Sequence, residues 1–400
     1  MNMNQTKLYI FTLLLLTAAL SSCKEEFKTA QVTNAAAPQP VSNVQVENLP
    51  GAARIHYTLP KDQDLLYVRA TYTLASGQEM EVKSSYYNNS LLVEGFADMK
   101  PHDIKLSTVN RSEISSTPVT VPVTPLENPI WDTFRSLEAI GAFGGIRITA
   151  DNEKEKNLTI MVMVDSLGEW VPSVDNIYTS TKQINRTIRG FAPNPKQFAI
   201  TIRDKYMNFT DTMVTTITPL FETALPKSRY NAISLPTDAK QQYTSTGLSK
   251  MWDGDIINWP NISLTDVTIN GPQWITFDTG TLAKMSRIVI WNYPEYTNNG
   301  RMYYYGGNVK TFEIWGSDNP PSDGSWNNWK LLGNFESKKP SGLPMGQQTD
   351  EDYQLANSGL SFDFDVSAPK VRYLRIKTSK NWQGSSFMAI AEVQVYGDPR

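Results

Sequence analysis

From Val41 onward the chain runs in short stretches that alternate apolar and polar residues, broken by turn formers roughly every eight to twelve positions. Arg54-Ile55-His56-Tyr57-Thr58-Leu59 is the cleanest stretch. At a period of two, Ile55, Tyr57 and Leu59 share a buried face and His56 turns to solvent. Leu66-Tyr67-Val68-Arg69-Ala70-Thr71-Tyr72 follows, then a Ser76-Gly77 turn and Met80-Glu81-Val82-Lys83. Ile104-Lys105-Leu106-Ser107-Thr108-Val109 and Val119-Thr120-Val121-Pro122-Val123 complete about seven strands with no helical period, the pattern of a β-sandwich. Cys23 is the only cysteine, so no disulfide can staple such sandwiches. Each domain needs an apolar core of its own.

Residues 41–125 form the first unit, and internal repetition marks a second over 126–222. Gly95-Phe96-Ala97 leads through Pro101 to Val123-Thr124-Pro125-Leu126. Gly190-Phe191-Ala192 leads likewise through Pro195 and Phe198-Ala199-Ile200-Thr201-Ile202 to Ile217-Thr218-Pro219-Leu220. Leu158-Thr159-Ile160-Met161-Val162-Met163-Val164 is expected to be a central strand buried on both faces. Pro38, Val41, Asn43, Val44 and Val46, with the Tyr57-Thr58-Leu59-Pro60 strand end, resemble the opening of a fibronectin type III module.

After a linker-like stretch over 223–236, a third domain over 237–400 carries a distinctive series. Trp252-Asp253-Gly254-Asp255 precedes Pro272-Gln273-Trp274-Ile275-Thr276-Phe277-Asp278-Thr279-Gly280 and Met285-Ser286-Arg287-Ile288-Val289-Ile290. Val309-Lys310-Thr311-Phe312-Glu313-Ile314-Trp315-Gly316-Ser317, Val371-Arg372-Tyr373-Leu374-Arg375-Ile376 and Ala391-Glu392-Val393-Gln394-Val395-Tyr396-Gly397 complete it. The series resembles the discoidin (coagulation factor type C) family, whose fold is a galactose-binding-like jelly roll. The expected fold is therefore all-β: two small immunoglobulin- or fibronectin III-like sandwiches, then a discoidin-type jelly roll. The whole arrangement resembles multidomain surface lipoproteins of Bacteroidetes polysaccharide-utilisation systems.

The N-terminus supplies an address. The apolar run Leu8–Leu20 is too short for a bilayer, which needs about 20 residues, and matches an export signal. Leu20-Ser21-Ser22-Cys23 resembles a bacterial lipobox, which makes 1–22 a lipoprotein signal peptide and Cys23 the lipidated mature N-terminus. The plainer alternative is cleavage at a small residue with Cys23 incidental. Lys24-Glu25-Glu26 resembles the acidic signal that sends Bacteroidetes lipoproteins to the outer leaflet, and 23–40 reads as a flexible tether. Localisation at the outer membrane, facing outward and held only by the N-terminal lipid, is the expectation.

Net charge is −3 with both signs well mixed, which argues against a nucleic-acid partner. Two histidines, His56 and His102, leave no Ser-His-Asp set or zinc cluster. Asp363 and Asp365 alternate with Phe362 and Phe364 and read as a solvated strand face, so no enzyme is expected. Asp253-Gly254-Asp255 offers two hard oxygen ligands in a tight turn, although Leu264 stands where an EF-hand loop would need Glu. The discoidin resemblance implies one structural Ca²⁺ held by Asp253, Asp255 and Glu392; an ordinary Asp-Gly turn is the alternative. No organic cofactor is implied.

Sugar binding calls for aromatic faces and planar polar groups on loops. One candidate loop runs from Tyr293 to Asn308 and holds Arg301, Tyr303, Tyr304, Tyr305 and Asn308. The other is Ser379-Lys380-Asn381-Trp382-Gln383-Gly384-Ser385, with Asn381 and Trp382 as contacts. Trp274, Trp291 and Trp315 sit in apolar strands and read as core, Trp252 and Trp259 as walls of the Asp-Gly-Asp turn, and Trp326 and Trp329 as either. The function expected is a non-catalytic, cell-surface glycan-binding lipoprotein that captures a polysaccharide or oligosaccharide for outer-membrane uptake. The alternative is a structural subunit docking to an outer-membrane transporter complex or a surface enzyme.

Overall fold

A computed structural model describes residues 36–172, 176–298 and 300–400. Cys23 and the acidic triplet after it lie outside the described residues. Among those described, no helix is long and apolar enough to cross a membrane.

The first sandwich comprises β1 (Ser42–Leu49), β2 (Ala52–Thr58), β3 (Leu65–Thr73), β4 (Glu79–Ser85), β5 (Ser90–Glu94), β6 (His102–Asn110) and β7 (Val119–Val123). Its sheets are ordered β1-β2-β5 and β4-β3-β6-β7. Ile55 and Tyr57 are buried between them with Val68, Ala70, Ile104 and Leu106, as the alternation requires. His56 is about half exposed.

The second sandwich repeats that topology strand for strand. After a short helix (Ile130–Arg135) come β8 (Glu138–Ala142), β9 (Gly145–Asp151), β10 (Leu158–Ser166), β11 (Glu169–Pro172), β12 (Ile177–Thr179), β13 (Gln183–Arg189), β14 (Lys196–Asp204) and β15 (Met213–Ile217). The sheets are β8-β9-β13 and β11-β10-β14-β15, with β12 added to β10. β10 is central, but Met161, Met163 and Val164 are only half-buried, so its second face is incompletely covered.

The repeated Gly-Phe-Ala has one job in both sandwiches. Gly51, in the left-handed region at φ 62°, accepts the N–H groups of Gly95 and Phe96 at its carbonyl, both at 3.2 Å. Gly144, at φ 66°, accepts those of Gly190 and Phe191, both at 3.0 Å. Leu126 and Leu220 then bridge to Pro50 and Phe143 as each sandwich hands over to the next domain.

The third domain is a nine-stranded assembly whose main path runs β16-β26-β19-β25-β22-β23, with the last stretch of chain (β26, Ala389–Asp398) between the two-residue β16 and β19. Its members are β16 (Thr223–Ala224), β17 (Asn231–Ala232), β18 (Ser263–Leu264), β19 (Gln273–Asn292), β22 (Val309–Ser317), β23 (Lys330–Glu336), β24 (Leu360–Asp363) and β25 (Lys370–Asn381). A small hairpin, β20 (Glu295–Thr297) and β21 (Gly300–Met302), stands apart. Two motifs that read as separate strands, 273–280 and 285–290, form one 20-residue strand, β19. Register shifts between Asp278 and Ala283, where Gly280 takes φ 65°, and this lets β19 pair β25 with its first half and β26 and β24 with its second.

The apolar inner face holds Ile275, Phe277, Ile314, Leu374 and Ile376. Trp274 and Trp315 point the other way. They are half-buried on the outer face and pack edge-on against Trp326, at 5.3 and 5.1 Å, so the reading of them as inner core is corrected. Trp291 is likewise half-buried, its indole N–H donating to Asn357 O at 3.2 Å.

Candidate functional site

The loops at one end of the jelly roll bring five side chains into a row. Tyr243 and Trp259 meet edge to face with ring centroids 5.8 Å apart, and Trp259 stands 6.2 Å from Tyr293. The Arg301 guanidinium then lies 6.0 Å from the Tyr293 ring and 5.3 Å from Tyr296. Tyr293 is buried at 6%, while Tyr243, Trp259 and Tyr296 are exposed at 51, 48 and 77%. So many large rings left in water at one place is unusual for a surface held only by folding.

Each member is positioned by backbone geometry. Asp255 accepts from the N–H groups of Ile257 (3.1 Å) and Asn258 (2.9 Å) with one carboxylate oxygen, and from the Asn261 amide (2.9 Å) with the other. Burial works against the charged form of Asp255, but these hydrogen bonds outweigh it and hold the carboxyl at about 2. The Asp-Gly-Asp turn therefore builds the loop that presents Trp259. The reading of Trp259 as a wall of that turn is corrected by its exposure.

Tyr293 is fixed from behind, its N–H donating to Ala389 O (3.0 Å) and its carbonyl accepting from the Asn308 amide (2.7 Å). Arg301 Nη1 donates to Tyr293 Oη at 3.4 Å and Pro294 O at 3.3 Å. Beside it, burial raises the Glu295 carboxyl above the ordinary range, with Arg301 opposing the rise.

The structure joins the two expected binding loops but uses most of their residues as frame. Trp382 N–H donates to Asn308 O (3.0 Å) and Gln383 N–H to Gly306 O (3.1 Å). Asn308 and Asn381 are fully buried, and Asn381 closes its own loop by donating to Phe387 O (3.0 Å) and accepting from Ser385 N–H (2.8 Å). Tyr303 is buried and donates to Asn357 Oδ1 at 2.9 Å. Tyr304 is buried against Trp382, and burial pushes its hydroxyl up to about 12. Trp382 is half-buried, and its ring already meets the ammonium groups of Lys310 and Lys339, whose Nζ atoms are 4.4 and 5.3 Å from its centroid. Tyr305 is half-buried beside Gly306. As ligand contacts, Asn308, Asn381, Tyr303 and Tyr304 are corrected to scaffold because their polar or ring surfaces are buried in the fold. Arg301 remains at the surface.

The calcium set does not fit a cation. Glu392, 2% exposed, pairs through Oε1 with the Lys227 ammonium and accepts Gly254 N–H at Oε2 (3.1 Å). Asp253 Oδ1 accepts Asp255 N–H at 2.9 Å, and both Asp255 oxygens are taken as above. The Lys227 ammonium thus takes the Glu392 oxygen that was expected to help hold the ion with Asp253 and Asp255. Among the described residues no group of three or more His, Cys, Asp or Glu is arranged to hold a metal.

Three family models, each described as a domain of unknown function, match in succession: DUF4959 over 38–125, DUF5126 over 126–228 and DUF5000 over 252–397. No curated protein matches the chain. Among solved structures, a SusE-like protein shares 32% identity, covering 67% of this chain and 98% of its own, with a TM-score of 0.43. At that score the superposition carries no argument; the shared sequence does. The C-terminal domain of a chitobiase from Bacteroides fragilis is 17% identical over 44% of this chain and 97% of its own, TM-score 0.29. GH31 CBM32-2 bound to GalNAc is 14% identical over 42% and 97%, TM-score 0.27.

Proposed function

The chain belongs to the SusE-like protein family, and on that footing we propose that it is a non-catalytic glycan-binding protein of the cell surface, anchored to the outer membrane through Cys23. Its jelly roll holds a polysaccharide or oligosaccharide for an uptake complex, and the two sandwiches set the distance from the membrane. The observation that carries the reading is the row in which the exposed rings of Tyr243, Trp259 and Tyr296 accompany the half-buried guanidinium of Arg301. A sugar ring stacks its C–H face on such rings while a guanidinium donates to its hydroxyls.

A glycan array read beside affinity electrophoresis tests it. Wild type is expected to bind at least one glycan class, and Trp259→Ala and Arg301→Ala to lose about tenfold or more with unchanged melting. Absence of binding across plant, host and microbial glycans overturns the reading.

A second reading, docking to an outer-membrane partner, has one observation in its favour. The β10–β11 hairpin exposes Leu167 fully, with Trp170 and Val171 at 41 and 39%. Stoichiometric protein partners recovered from solubilised outer membrane, lost in Leu167→Asp, together with no glycan affinity, would favour it.

A further inference from the structure

Three tryptophans that the aromatic row does not use, Trp274, Trp315 and Trp326, gather on the outer face of the jelly roll. Strand register puts them there. Trp274 of β19 is paired with Lys377 of β25, and Lys377 with Glu313 of β22. Two residues along, Thr276 pairs with Arg375 and Arg375 with Trp315. The residues between, Ile275, Ile376 and Ile314, are buried on the inner face, so a period of two sets both rows on the other side. Trp326 comes from the loop between β22 and β23 and lies over this group. Its ring centroid is 5.3 Å from Trp274 and 5.1 Å from Trp315, with Lys377 Nζ 5.6 Å away.

The solvent face of an antiparallel sheet is ordinarily polar. Here Trp326 meets its two neighbours at steep angles, 69 and 66°, and all three indoles stay half-buried. Trp274 is also one wall of a cavity of about 370 Å³, whose lining includes Lys240, Asp266 and the 49% exposed Ile269. That volume suits a small ligand. The loop presenting Ile269 is pinned by the Gln273 amide, which donates to Asp266 O at 2.7 Å and Ile269 O at 3.4 Å.

Hydrogen-bonding capacity is left over around these rings. Glu313 Oε2 accepts from Trp315 Nε1 at 2.7 Å and Lys377 Nζ at 3.0 Å, while Oε1 has no partner among the described residues. Asp266 Oδ1 accepts the N–H and hydroxyl of Thr268 at 2.8 and 2.7 Å, and among the described residues Oδ2 has no partner either. The charges come in opposite pairs, Lys377 with Glu313 and Lys240 beside Asp266, whose N–H donates to Lys240 O at 2.9 Å. Such a face offers indoles to C–H surfaces and carboxylate oxygens to hydroxyls, with no surplus charge to select an ion.

We propose that this outer face, with the cavity beside Trp274, is a second saccharide site. It takes a neutral, linear oligosaccharide, one unit against Trp274 in the cavity and the chain continuing over Trp326. The inference rests on reading the protein as a saccharide binder, but not on the aromatic row. Two sites on one jelly roll let a single polymer be held twice, which raises avidity without tighter contacts at either.

Hydroxyl-radical footprinting of the whole chain, read by mass spectrometry, tests it with maltohexaose, cellohexaose, xylohexaose and mannohexaose. At least one probe is expected to protect Trp274 and Trp326 from oxidation, and to do so equally in the Trp259→Ala/Arg301→Ala double variant. Ile269→Glu changes an exposed side chain at the cavity and leaves the core untouched. Added to that double variant, it should weaken the surviving binding about tenfold by calorimetry, with little dependence on salt. Protection of Trp259 without Trp274 or Trp326 would overturn the second site and leave the loop-end reading standing. No protection at either place would overturn both, and a dimer lost in Ile269→Glu would then assign the face to a second copy of the chain. Undiminished binding after Ile269→Glu would overturn the placement in the cavity, and affinity falling steeply with salt would overturn the neutral ligand.

Discussion

Asn128 and Glu222 occupy the same position in two successive domain junctions, each the second residue after the leucine that bridges back into its sandwich. Asn128 donates to Phe96 O at 3.0 Å behind it and to Asp204 Oδ2 at 3.1 Å in the next domain. Glu222 accepts from Ser286 Oγ at 2.6 Å and Arg287 Nε at 3.2 Å in the domain that follows it. The repeat in the sequence is thus also a repeat of joints, and in each the side chain reaches forward to fix the next module.

Glu222 is 8% exposed and faces Arg287, with Arg189 Nε 3.8 Å away. Glu222→Ala leaves Arg287 without its carboxylate, while Arg189 keeps Asp363 at 2.7 Å, and is expected to cost about 3 kcal/mol. The readout is limited proteolysis at 218–226, which should appear in the variant well below its melting temperature and not in wild type. Asn128→Ala should cost less, about 1–2 kcal/mol, since it removes neutral hydrogen bonds.

The joints were half legible. Gly95-Phe96-Ala97 and its copy announce themselves as text, because a backbone carbonyl that takes two N–H groups needs a glycine at φ > 0 beside it. The partners Ser286 and Arg287 are 64 and 65 residues beyond Glu222 and carry no local mark. At the site, Arg301 was visible as a charged residue among tyrosines. Trp259 was not, because its exposure depends on how Asp255 folds the turn. The helix Asp350–Asn357 did leave a signal in the sequence, the capping box of Thr349 and Asp352. Asn308 and Asn381 read as sugar ligands because a planar amide looks the same whether it meets a hydroxyl or a buried carbonyl.

Glycines where strands cross closely should separate by severity. A Cβ at Gly145 would lie 1.8 Å from Ile188 O, inside the β9–β13 ladder. Gly145→Ala must push those strands apart and is expected to cost more than about 3 kcal/mol by chemical denaturation. Gly190→Ala meets no atom within 4 Å but sits at φ 98°, so about 1–2 kcal/mol of backbone strain is expected.

Calcium should have no effect on melting. With Lys227 on Glu392 and the Asp255 oxygens saturated, the melting temperature is expected to be the same in millimolar calcium and in EDTA. Lys227→Met leaves the Glu392 carboxylate buried and unpaired and should destabilise by about 3 kcal/mol. A calcium-dependent rise of several degrees in wild type would contradict the geometry.

Glu295 gives a pH signature. Burial raises its folded pKa above the unfolded value, with Arg301 opposing. The folded chain therefore holds this proton more tightly, so ionisation counts against stability above the folded pKa and ceases to matter below the unfolded value, about 4.3. Glu295→Gln is expected to melt higher than wild type at neutral pH, with the gap closing as pH falls through about 4. A gap that widens on acidification would reverse the sign.

Arg375 provides the sharpest test of the jelly roll's outer face. It is fully buried, its guanidinium 4.5 and 4.4 Å from the Trp326 and Trp329 ring centroids and 3.4 Å from Asp238. Burial disfavours the charge on both partners, raising Asp238 and lowering Arg375, so the pair persists only because Thr276 and Leu235 also donate to the carboxylate and the rings accept the cation. Arg375→Met should cost about 3–5 kcal/mol, because the buried Asp238 carboxylate loses its cation and keeps only the Thr276 and Leu235 donors. Arg375→Met combined with Asp238→Asn should recover part of that loss, and Arg375→Lys should not substitute, since a compact ammonium cannot lie flat between two indoles. Denaturant melts followed by tryptophan fluorescence read both effects. If the double variant is no more stable than Arg375→Met alone, the indole stacking rather than the stranded carboxylate dominates.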